Sequence, residues 1–287
     1  MTVGQLLTSL SLTNAAGTDI PLISATRSIQ TASGLAGIAA REVVVARSGR
    51  RGSRNLTRYR DDAQIVITGT LMGVDATDTW AQYDAVGGAL ADAVDTDRLL
   101  KWTAGSGLAL QRNVRLTSFD APLSVGADVI TYQATLRGSD PNVYGQIEKS
   151  ASAVPLGSTT GGGLVFPMVF PVVFNPPATA TAGFTNAGFI SAPPVFTLQG
   201  YLKNPVIELT PGVSLVFDGE IAGSDTLTVD VDARTVLLNG TDNRRYLLDS
   251  VNSTWFELPP GSGTVTLVAE DFTPGAGLTV TWRDARD

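Results

Sequence analysis

The stretch that decides the fold is Ser253-Thr254-Trp255-Phe256-Glu257-Leu258-Pro259-Pro260-Gly261-Ser262-Gly263-Thr264-Val265-Thr266-Leu267. Two aromatic residues precede a Pro-Pro-Gly turn, because proline fixes φ and glycine tolerates positive φ. After the turn, Val265 and Leu267 alternate with Thr264 and Thr266, which is the period of a strand with one apolar face. The stretch therefore predicts an antiparallel β-domain.

The residues around this stretch repeat its alternating pattern. Short strand-like runs occur at residues 195–200, 204–209, 227–232, 234–238 and 278–282. Asp218-Gly219 and Asn239-Gly240 between them are two-residue hairpin signals. Short strands at this spacing, with little helix, predict a β-sandwich of the jelly-roll kind.

The first half of the chain carries the clearest helical pattern. We expect a helix within residues 75–97, with Asp78 or Thr79 as its N-cap. Trp80 and Tyr83 follow the helical period, so we expect them in the core rather than in a ligand site. Strand patterns surround the helix, at residues 65–71, 99–102, 108–110, 114–116 and 129–136.

A composition change in the middle of the chain predicts a domain boundary. Residues 155–163 are rich in Gly, Ser and Thr, which is typical of a flexible junction. Residues 164–174 are apolar but too short and too proline-rich for a transmembrane helix, so they predict an edge strand or a ribbon. We divide the chain into an N-terminal domain (1–155), a linker or ribbon (156–176) and a C-terminal domain (177–287).

The composition excludes several classes of chemistry. The 287 residues are 43% hydrophobic, enough to bury a core, and include neither Cys nor His. Disulfides, thiolate nucleophiles, histidine bases and Cys/His zinc sites are thereby removed. We expect no cofactor. Residues 1–12 have no basic, apolar signal-peptide pattern, so we expect no signal peptide.

The charge is divided unevenly along the chain. Residues 1–160 contain 14 acidic and 14 basic side chains, whereas residues 161–287 contain 13 acidic and six basic ones. An acidic body does not favour binding to nucleic acid phosphates.

The basic exception is a Gly- and Ser-spaced segment at residues 47–62. It holds six of the 17 arginines: Arg47, Arg50, Arg51, Arg54, Arg58 and Arg60. The segment suits either a patch for nucleic acid or an acidic partner, or a solvated loop that forms salt bridges within an oligomer. Because the arginine fork pairs well with carboxylates at interfaces, we take these residues as possible contacts between subunits.

One group of carboxylates suggests a mechanism or a Ca²⁺ site, namely Asp218, Glu220, Asp230 and Asp232. Asp230 and Asp232 lie two apart in a predicted strand, and paired glycosidase acids are conceivable there. The simpler interpretation is the polar face of a half-buried strand. No EF-hand loop, phosphate loop, nucleophile elbow or dinucleotide motif is present. We therefore assign no catalytic residue and no metal ligand.

Trp255 and Phe256 have two possible roles. They suit stacking on a sugar, in which case the chain is a carbohydrate-binding adhesin for host cell-wall glycans. The favoured alternative is packing where the final strand closes the sandwich.

Short motifs occur in a characteristic order along nearly the whole chain. They are Arg58-Tyr59-Arg60, Ile65-Val66-Ile67-Thr68-Gly69, Leu100-Lys101-Trp102, Asp140-Pro141-Asn142-Val143-Tyr144, Asn204-Pro205, Asn239-Gly240 and Trp255-Phe256-Glu257-Leu258-Pro259-Pro260-Gly261. In this order the chain resembles the distal tail proteins of bacteriophages with long, non-contractile tails, and their gene-transfer-agent relatives.

The resemblance implies a mainly β fold: an N-terminal split β-barrel with one helix, related to tail-tube proteins, and a C-terminal galectin-like β-sandwich. It implies a non-enzymatic virion protein at the tail tip, assembled in the host cytoplasm without membrane insertion. It further implies a homo-hexamer ring whose lumen passes DNA. Its partners would be the tail tube protein, the tail-tip hub protein, receptor-binding proteins or fibres, and the tape-measure protein. Residues 1–160 would form the ring, with the 47–60 loop reaching a neighbouring copy or the adjoining tube ring.

Overall fold

A computed structural model describes residues 7–36, 40–49, 51, 53–122, 128–153, 179–209 and 212–286. It confirms a mainly β chain with several sheets and one α-helix. The chain forms two compact units, residues 1–146 with 286–287, and residues 147–285. The predicted Phe-Pro ribbon at 164–174 lies outside the described residues.

The first unit consists of ten strands and the helix. They are β1 (Leu7–Thr13), β2 (Asp19–Pro21), β3 (Arg27–Ser33), β4 (Ala40–Ala46), β5 (Ser53–Arg60), β6 (Ala63–Met72), α1 (Ala76–Asp95), β7 (Arg98–Ala104), β8 (Ala109–Asp120), β9 (Val129–Gly138) and β10 (Val143–Gly145). Seven strands form the main path of an antiparallel sheet, in the order β2-β1-β7-β8-β9-β6-β3, and β10 pairs with β8 outside this path. Burial alternates along β6, where Ile65 and Ile67 are fully buried, as expected for a strand with one face on the core.

The sheet of the first unit does not close into a barrel among the described residues. Its two edge strands, β2 and β3, are not paired with each other. Pro21 in β2 has no N–H to donate to a ladder. A side chain joins the edges instead, since Arg27 Nη1 donates to the carbonyl oxygen of Pro21 at 2.6 Å. The described strands therefore support the predicted split barrel but do not form a closed barrel.

The helix begins one turn earlier than the predicted cap. Asp75 is the N-cap, with extended backbone at φ −152°, and its side chain accepts from the amide of Asp78 at 2.8 Å. The Asp78 carboxylate in turn accepts from the amide of Val74 at 3.0 Å. The prediction of Asp78 or Thr79 as the cap was wrong, because these residues lie in the first turn and bond back to the cap region.

The two aromatic residues of α1 have different environments. Tyr83 packs against the core, but Trp80 is 47% exposed, so its predicted core position was wrong. The buried face of α1 is centred on Val86, Leu90 and Ala93. At 3.6 residues per turn, Trp80 lies about 120° around the helix from Val86, at the edge of that face.

The second unit contains thirteen strands and a short 3₁₀ helix. They are β11 (Lys149–Ala153), β12 (Thr179–Asn186), β13 (Val195–Gln199), β14 (Leu202–Lys203), β15 (Val206–Leu209), β16 (Val213–Val216), β17 (Glu220–Ile221), β18 (Thr226–Asp230), β19 (Thr235–Leu238), β20 (Asp242–Asn243), the 3₁₀ helix (Arg245–Leu247), β21 (Gly261–Val268), β22 (Asp271–Phe272) and β23 (Gly277–Trp282). A last short strand is β24 (Ala285–Arg286).

The second unit is a β-sandwich. One sheet has the order β11-β23-β13-β18-β19-β20 and the other β12-β21-β15-β16. Both contribute to one core, in which Phe196 and Leu198 of the first sheet join Val265 and Leu267 of the second. The stretch quoted at the outset thus leads into β21, an inner strand of its sheet.

Strand β11 belongs to the sandwich, where Lys149 pairs with Trp282 and Ala153 with Leu278. The sequence-based division at residue 155 had grouped this strand with the first domain. The domain-forming contacts therefore begin before the Gly-rich junction rather than after it.

The two predicted hairpin turns have different outcomes. Asn239 and Gly240 both have positive φ, 51° and 76°, and connect β19 to β20 with Leu238 opposite Asp242. Asp218-Gly219 was wrongly predicted as a hairpin turn. The strand that follows it, β17, pairs with β14 instead of returning on β16.

Candidate assembly interface

Strands β4 and β5 form a hairpin that pairs with no other strand in the described part of the chain. Its register runs from Ala40 opposite Arg60 to Ala46 opposite Ser53. A two-stranded hairpin is only marginally stable by itself in water. Contact with another surface is therefore the ordinary way for such a hairpin to be stabilised.

The tip of this hairpin carries free positive charge. Arg47 and Arg51 are exposed, and neither makes a hydrogen bond or an ion pair within the described residues. Val45, next to the tip, is 48% exposed. The tip therefore combines an apolar side chain with two guanidinium groups, a composition that is common at protein interfaces.

The other arginines of the segment lie along or beside the hairpin. Arg60, at its base, is exposed, and its Nη1 donates to the side-chain oxygen of Asn142 at 3.2 Å. Arg54 and Arg58 lie in β5, but their side chains are outside the described set, as is all of Arg50. The structure thus separates one structural arginine at the base from two available ones at the tip.

A buried arginine that the sequence reasoning missed supports the base of the hairpin. Arg112 is 1% exposed, and its side chain donates to the carbonyls of Asn142 at 3.2 Å, Gly34 at 3.3 Å and Pro141 at 2.7 Å. Backbone oxygens compensate part of the cost of burying the charge. These bonds fix the turn at 141–142, against which Arg60 rests. The sequence signal for this burial was the position of Arg112, which alternates with Leu110 and Val114 on the buried side of β8.

The aromatic pair of the second unit contributes to packing. Phe256 is 6% exposed, and its ring lies 5.5 Å from that of Phe196, centroid to centroid. Trp255 is half-buried against the same core, and the Arg245 guanidinium lies 5.9 Å from its ring centroid. Phe256 is thus unavailable to a sugar, and Trp255 is in part covered.

An exposed tyrosine lies near these aromatic residues and was not predicted. Tyr246 is 69% exposed, and Arg244 Nη1 donates to its hydroxyl at 2.6 Å. The pKa of Arg244 is raised, mainly by this hydrogen bond and then by the electrostatic interaction with Tyr246. The pair presents an aromatic ring whose polar end is held in place by a cation.

The carboxylate group does not form a shared site. Asp230 ends β18, and its side chain accepts from the amide of Ala233 at 2.9 Å. Asp232 lies in the turn beyond the strand, so the prediction that both occupy one strand was wrong. Within the described residues, no cluster of three or more acidic side chains is arranged to hold a metal ion.

The clearest ion-pair network of the second unit is on its surface. Glu270 accepts from Lys203 at 3.1 Å and from the side chain of Asn204 at 2.6 Å. The hydrogen bond from Lys203 is the main reason that the pKa of Glu270 is lowered, and the same bond raises the pKa of Lys203. Exposed pairs of this kind contribute little to stability.

No helix in the described ranges combines the length and the apolar character needed to cross a bilayer.

The family model matches within the second unit, whereas the similar solved structures match nearly the whole chain. The family model for the C-terminal domain of the siphovirus-type tail component matches residues 187–285. Among solved structures, the SPP1 Dit protein, described as a paradigm of the hub adsorption apparatus in phages that infect Gram-positive bacteria, has a TM-score of 0.65 at 13% identity. The match covers 96% of this chain and 98% of the SPP1 Dit chain.

Two structures of a phage P2 baseplate in its activated conformation are also similar. The one with Ca has a TM-score of 0.54 at 11% identity, covering 96% of this chain and 98% of its own. The one with Sr has a TM-score of 0.51 at 12% identity, covering 95% and 97%. No curated protein matches the sequence. The resemblance to distal tail proteins is thus confirmed, in sequence for the second unit and in fold for nearly the whole chain.

Proposed function

We propose that the chain is a structural distal tail protein of a siphophage, located at the tail tip of the virion. The observation that carries this proposal is the family match over residues 187–285, on a chain whose fold follows SPP1 Dit over 96% of its length. Fold likeness alone leaves function open. The family match in the second unit links the chain to these tail proteins by sequence as well.

We further propose that the first unit of six copies builds a homo-hexameric ring. The ring joins the tail tube to the tail-tip hub and the receptor-binding proteins, and DNA passes through its lumen. The hairpin of β4 and β5 supports contact between copies, because within the described residues it pairs with no other strand and Arg47 and Arg51 at its tip have no partner. A ring requires such a head-to-tail contact between different surfaces.

Native mass spectrometry and negative-stain imaging of the purified chain test the ring. We expect particles of about 180 kDa, six times the chain mass of 29.9 kDa, with a central hole. Antibody against the chain should label the tail tip of intact virions. A monomer at every concentration and salt level, together with unlabelled tips, would contradict the proposal.

A glycan-binding adhesin is the second candidate, favoured by the exposed ring of Tyr246 beside Arg244. Aromatic rings with a polar neighbour suit stacking on sugars. Binding to host cell-wall glycan that is lost in Tyr246→Ala, while circular dichroism stays unchanged, would support it. Absence of binding across a glycan panel would remove it.

A further inference from the structure

The turn between β19 and β20 combines two residue types that can react with each other. It is formed by Asn239-Gly240, the only Asn-Gly pair in the chain. Both residues are exposed, and both have positive φ. The side-chain amide carbon of an asparagine is open to attack by the backbone nitrogen of the next residue, and a following glycine has no Cβ to obstruct the attack. The reactivity of Asn239 therefore depends on how the fold holds these two groups.

The attacking group is free. The amide nitrogen of Gly240 donates no hydrogen bond among the described residues, and the turn is closed instead by the amide of Thr241, which donates to the carbonyl oxygen of Leu238 at 3.2 Å. A Cβ added at position 240 would meet nothing within 4 Å, so the space around Gly240 is open. Water and base therefore reach the N–H group that loses its proton in the attack.

The amide group under attack is held by two hydrogen bonds at the start of β18. Its oxygen, Oδ1 of Asn239, accepts from the amide of Thr226 at 3.0 Å, and its nitrogen, Nδ2, donates to Oδ1 of Asp225 at 3.0 Å. The Thr226 bond draws electron density from the amide carbon and stabilises the oxyanion that forms on attack. The Asp225 bond, by contrast, restrains rotation of the side chain.

The position of the turn in the sheet makes local opening easy. Strand β20 has only two residues and lies at the edge of its sheet, where it pairs with β19 through Leu237 opposite Asn243 and Leu238 opposite Asp242. Short pairings at a sheet edge open more readily than strands in the core. The side chain of Asn239 is therefore released from its restraint repeatedly while the rest of the sandwich stays folded.

We propose that Asn239 is a site of spontaneous deamidation, and that its bond to Asp225 limits the rate. The Gly240 nitrogen forms a bond to the side-chain carbon of Asn239, the bond from this carbon to Nδ2 breaks, and ammonia leaves with the proton of the attacking amide. The product is a cyclic succinimide. Water then adds to one of its two carbonyl carbons and opens the ring, which leaves aspartate or isoaspartate at position 239. Nothing is oxidised or reduced, and water is the only co-reactant.

The modified turn differs from the original in charge and in contacts. A new carboxylate takes the place of the amide that bonds to Asp225, so a hydrogen bond becomes a contact between like charges. Isoaspartate also adds a carbon to the backbone, so the turn no longer fits the pairing of Leu238 with Asp242. We therefore expect modification to loosen the sheet end formed by β19 and β20. This inference goes beyond the proposed function and holds whether or not the chain forms a ring.

Asn252 serves as a matched internal control. Its Nδ2 donates to Oδ2 of Asp249 at 2.6 Å, as that of Asn239 does to Asp225. The residue after it, however, is Ser253, which carries a side chain and whose amide donates to the carbonyl oxygen of Asp249 at 2.9 Å. Both asparagines are exposed and held by an aspartate, so they differ chiefly in the attacking group.

Peptide mass mapping of the purified full chain tests the inference. The folded chain is kept in mildly alkaline buffer, and the replacement of NH₂ by OH is quantified at each asparagine over time. Roughly 10-fold more Asn239 than Asn252 should convert, because Gly240 leaves the attack unobstructed. Isoaspartate should accompany aspartate, since the succinimide opens at either carbonyl. Equal conversion of the two residues, or an intact Asn239 while a urea-unfolded sample converts, would overturn the inference.

Two variants separate the attacking group from the restraint. Gly240→Asn keeps a residue type that tolerates positive φ and should suppress conversion of Asn239 roughly 10-fold. Asp225→Ala removes the acceptor of Nδ2 and should raise the rate several-fold. Circular dichroism and the thermal midpoint establish that each variant is folded. Unchanged conversion in Gly240→Asn, or conversion in Asp225→Ala that is no faster than in the wild type, contradicts the proposal.

Discussion

The two units solve the problem of enclosing a β-core in different ways. The sandwich places two sheets face to face, and Asn186 is its only fully buried polar side chain among the described residues. The first unit packs a single helix against one sheet and buries Thr79, Arg112 and Thr135. It also carries seven of the eleven exposed large apolar side chains in the described chain. The comparison therefore contrasts a module that encloses most of its apolar surface with a module that leaves more of it exposed.

Phe256→Ala gives the strongest test of this contrast. Removing a fully packed phenylalanine from the sandwich should cost about 3–5 kcal/mol, because both transfer energy and packing are lost. In differential scanning calorimetry, we expect the transition of the second unit to move to lower temperature while that of the first stays in place. Trp255→Ala is the control and should cost less, because Trp255 is only half-buried. Equal loss in both transitions would contradict the independence of the two units.

Tyr132 should make the first unit sensitive to alkali. Burial raises the pKa of Tyr132 to about 12, against a smaller lowering by the Arg27 cation. An unfolded tyrosine ionises near pH 10, so the folded state holds its proton more tightly. The stability from this difference is complete below about pH 10 and is lost between about pH 10 and 12, about 2–3 kcal/mol in all.

Urea unfolding of the first unit between pH 9 and 11.5 measures that effect. Tyr132→Phe should flatten the pH dependence. It should leave stability at pH 7 unchanged or raise it by about 1 kcal/mol, since the buried hydroxyl has no hydrogen-bond partner in the described chain. A variant with the same alkaline slope as the wild type would show that other groups control it.

Asp75→Ala probes the smallest of the three effects. Loss of the N-cap should destabilise the first unit by about 1 kcal/mol, because the amide of Asp78 loses its acceptor. Chemical denaturation monitored by the ellipticity of the helix gives the value. Asp75→Asn retains a capping oxygen and should recover most of the loss. Equal destabilisation by both substitutions would assign the effect to charge rather than to capping.

The elements with strong local signals were predictable from the sequence. The helix, expected within 75–97, spans Ala76–Asp95, and the alternating run after Gly261 forms β21. The Asn239-Gly240 turn followed from the backbone preferences of its two residues. In each case the determinant lies within a few residues of the element it specifies.

The parts that escaped prediction depend on tertiary structure. Trp80 fits the helical period, but which side of a helix is buried depends on the sheet beneath it. Arg112 is buried because the 141–142 turn returns its carbonyls to it. The contacts of Thr79 likewise depend on the fold, since its hydroxyl accepts from the amide of Gly73, after β6, and lies 3.0 Å from the carbonyl oxygens of both Asp75 and Asp128, the latter just before β9. Nothing local predicts the contacts of Trp80 and Thr79, and for Arg112 the alternating row in β8 shows only which side of the strand is buried.

The pairing of β11 with β23 has a consequence for how the chain is divided. Lys149, near the entry to the second unit, lies opposite Trp282, near its exit, so the chain enters and leaves this module side by side. Modules whose ends are adjacent tolerate insertion, removal and exchange, because the host chain needs only a short bridge across the gap. An expression fragment starting in the Gly-rich segment after residue 154 would lack β11 and expose the edge of β23 to non-native pairing. Fragments for domain swapping between tail proteins should therefore begin at residue 147.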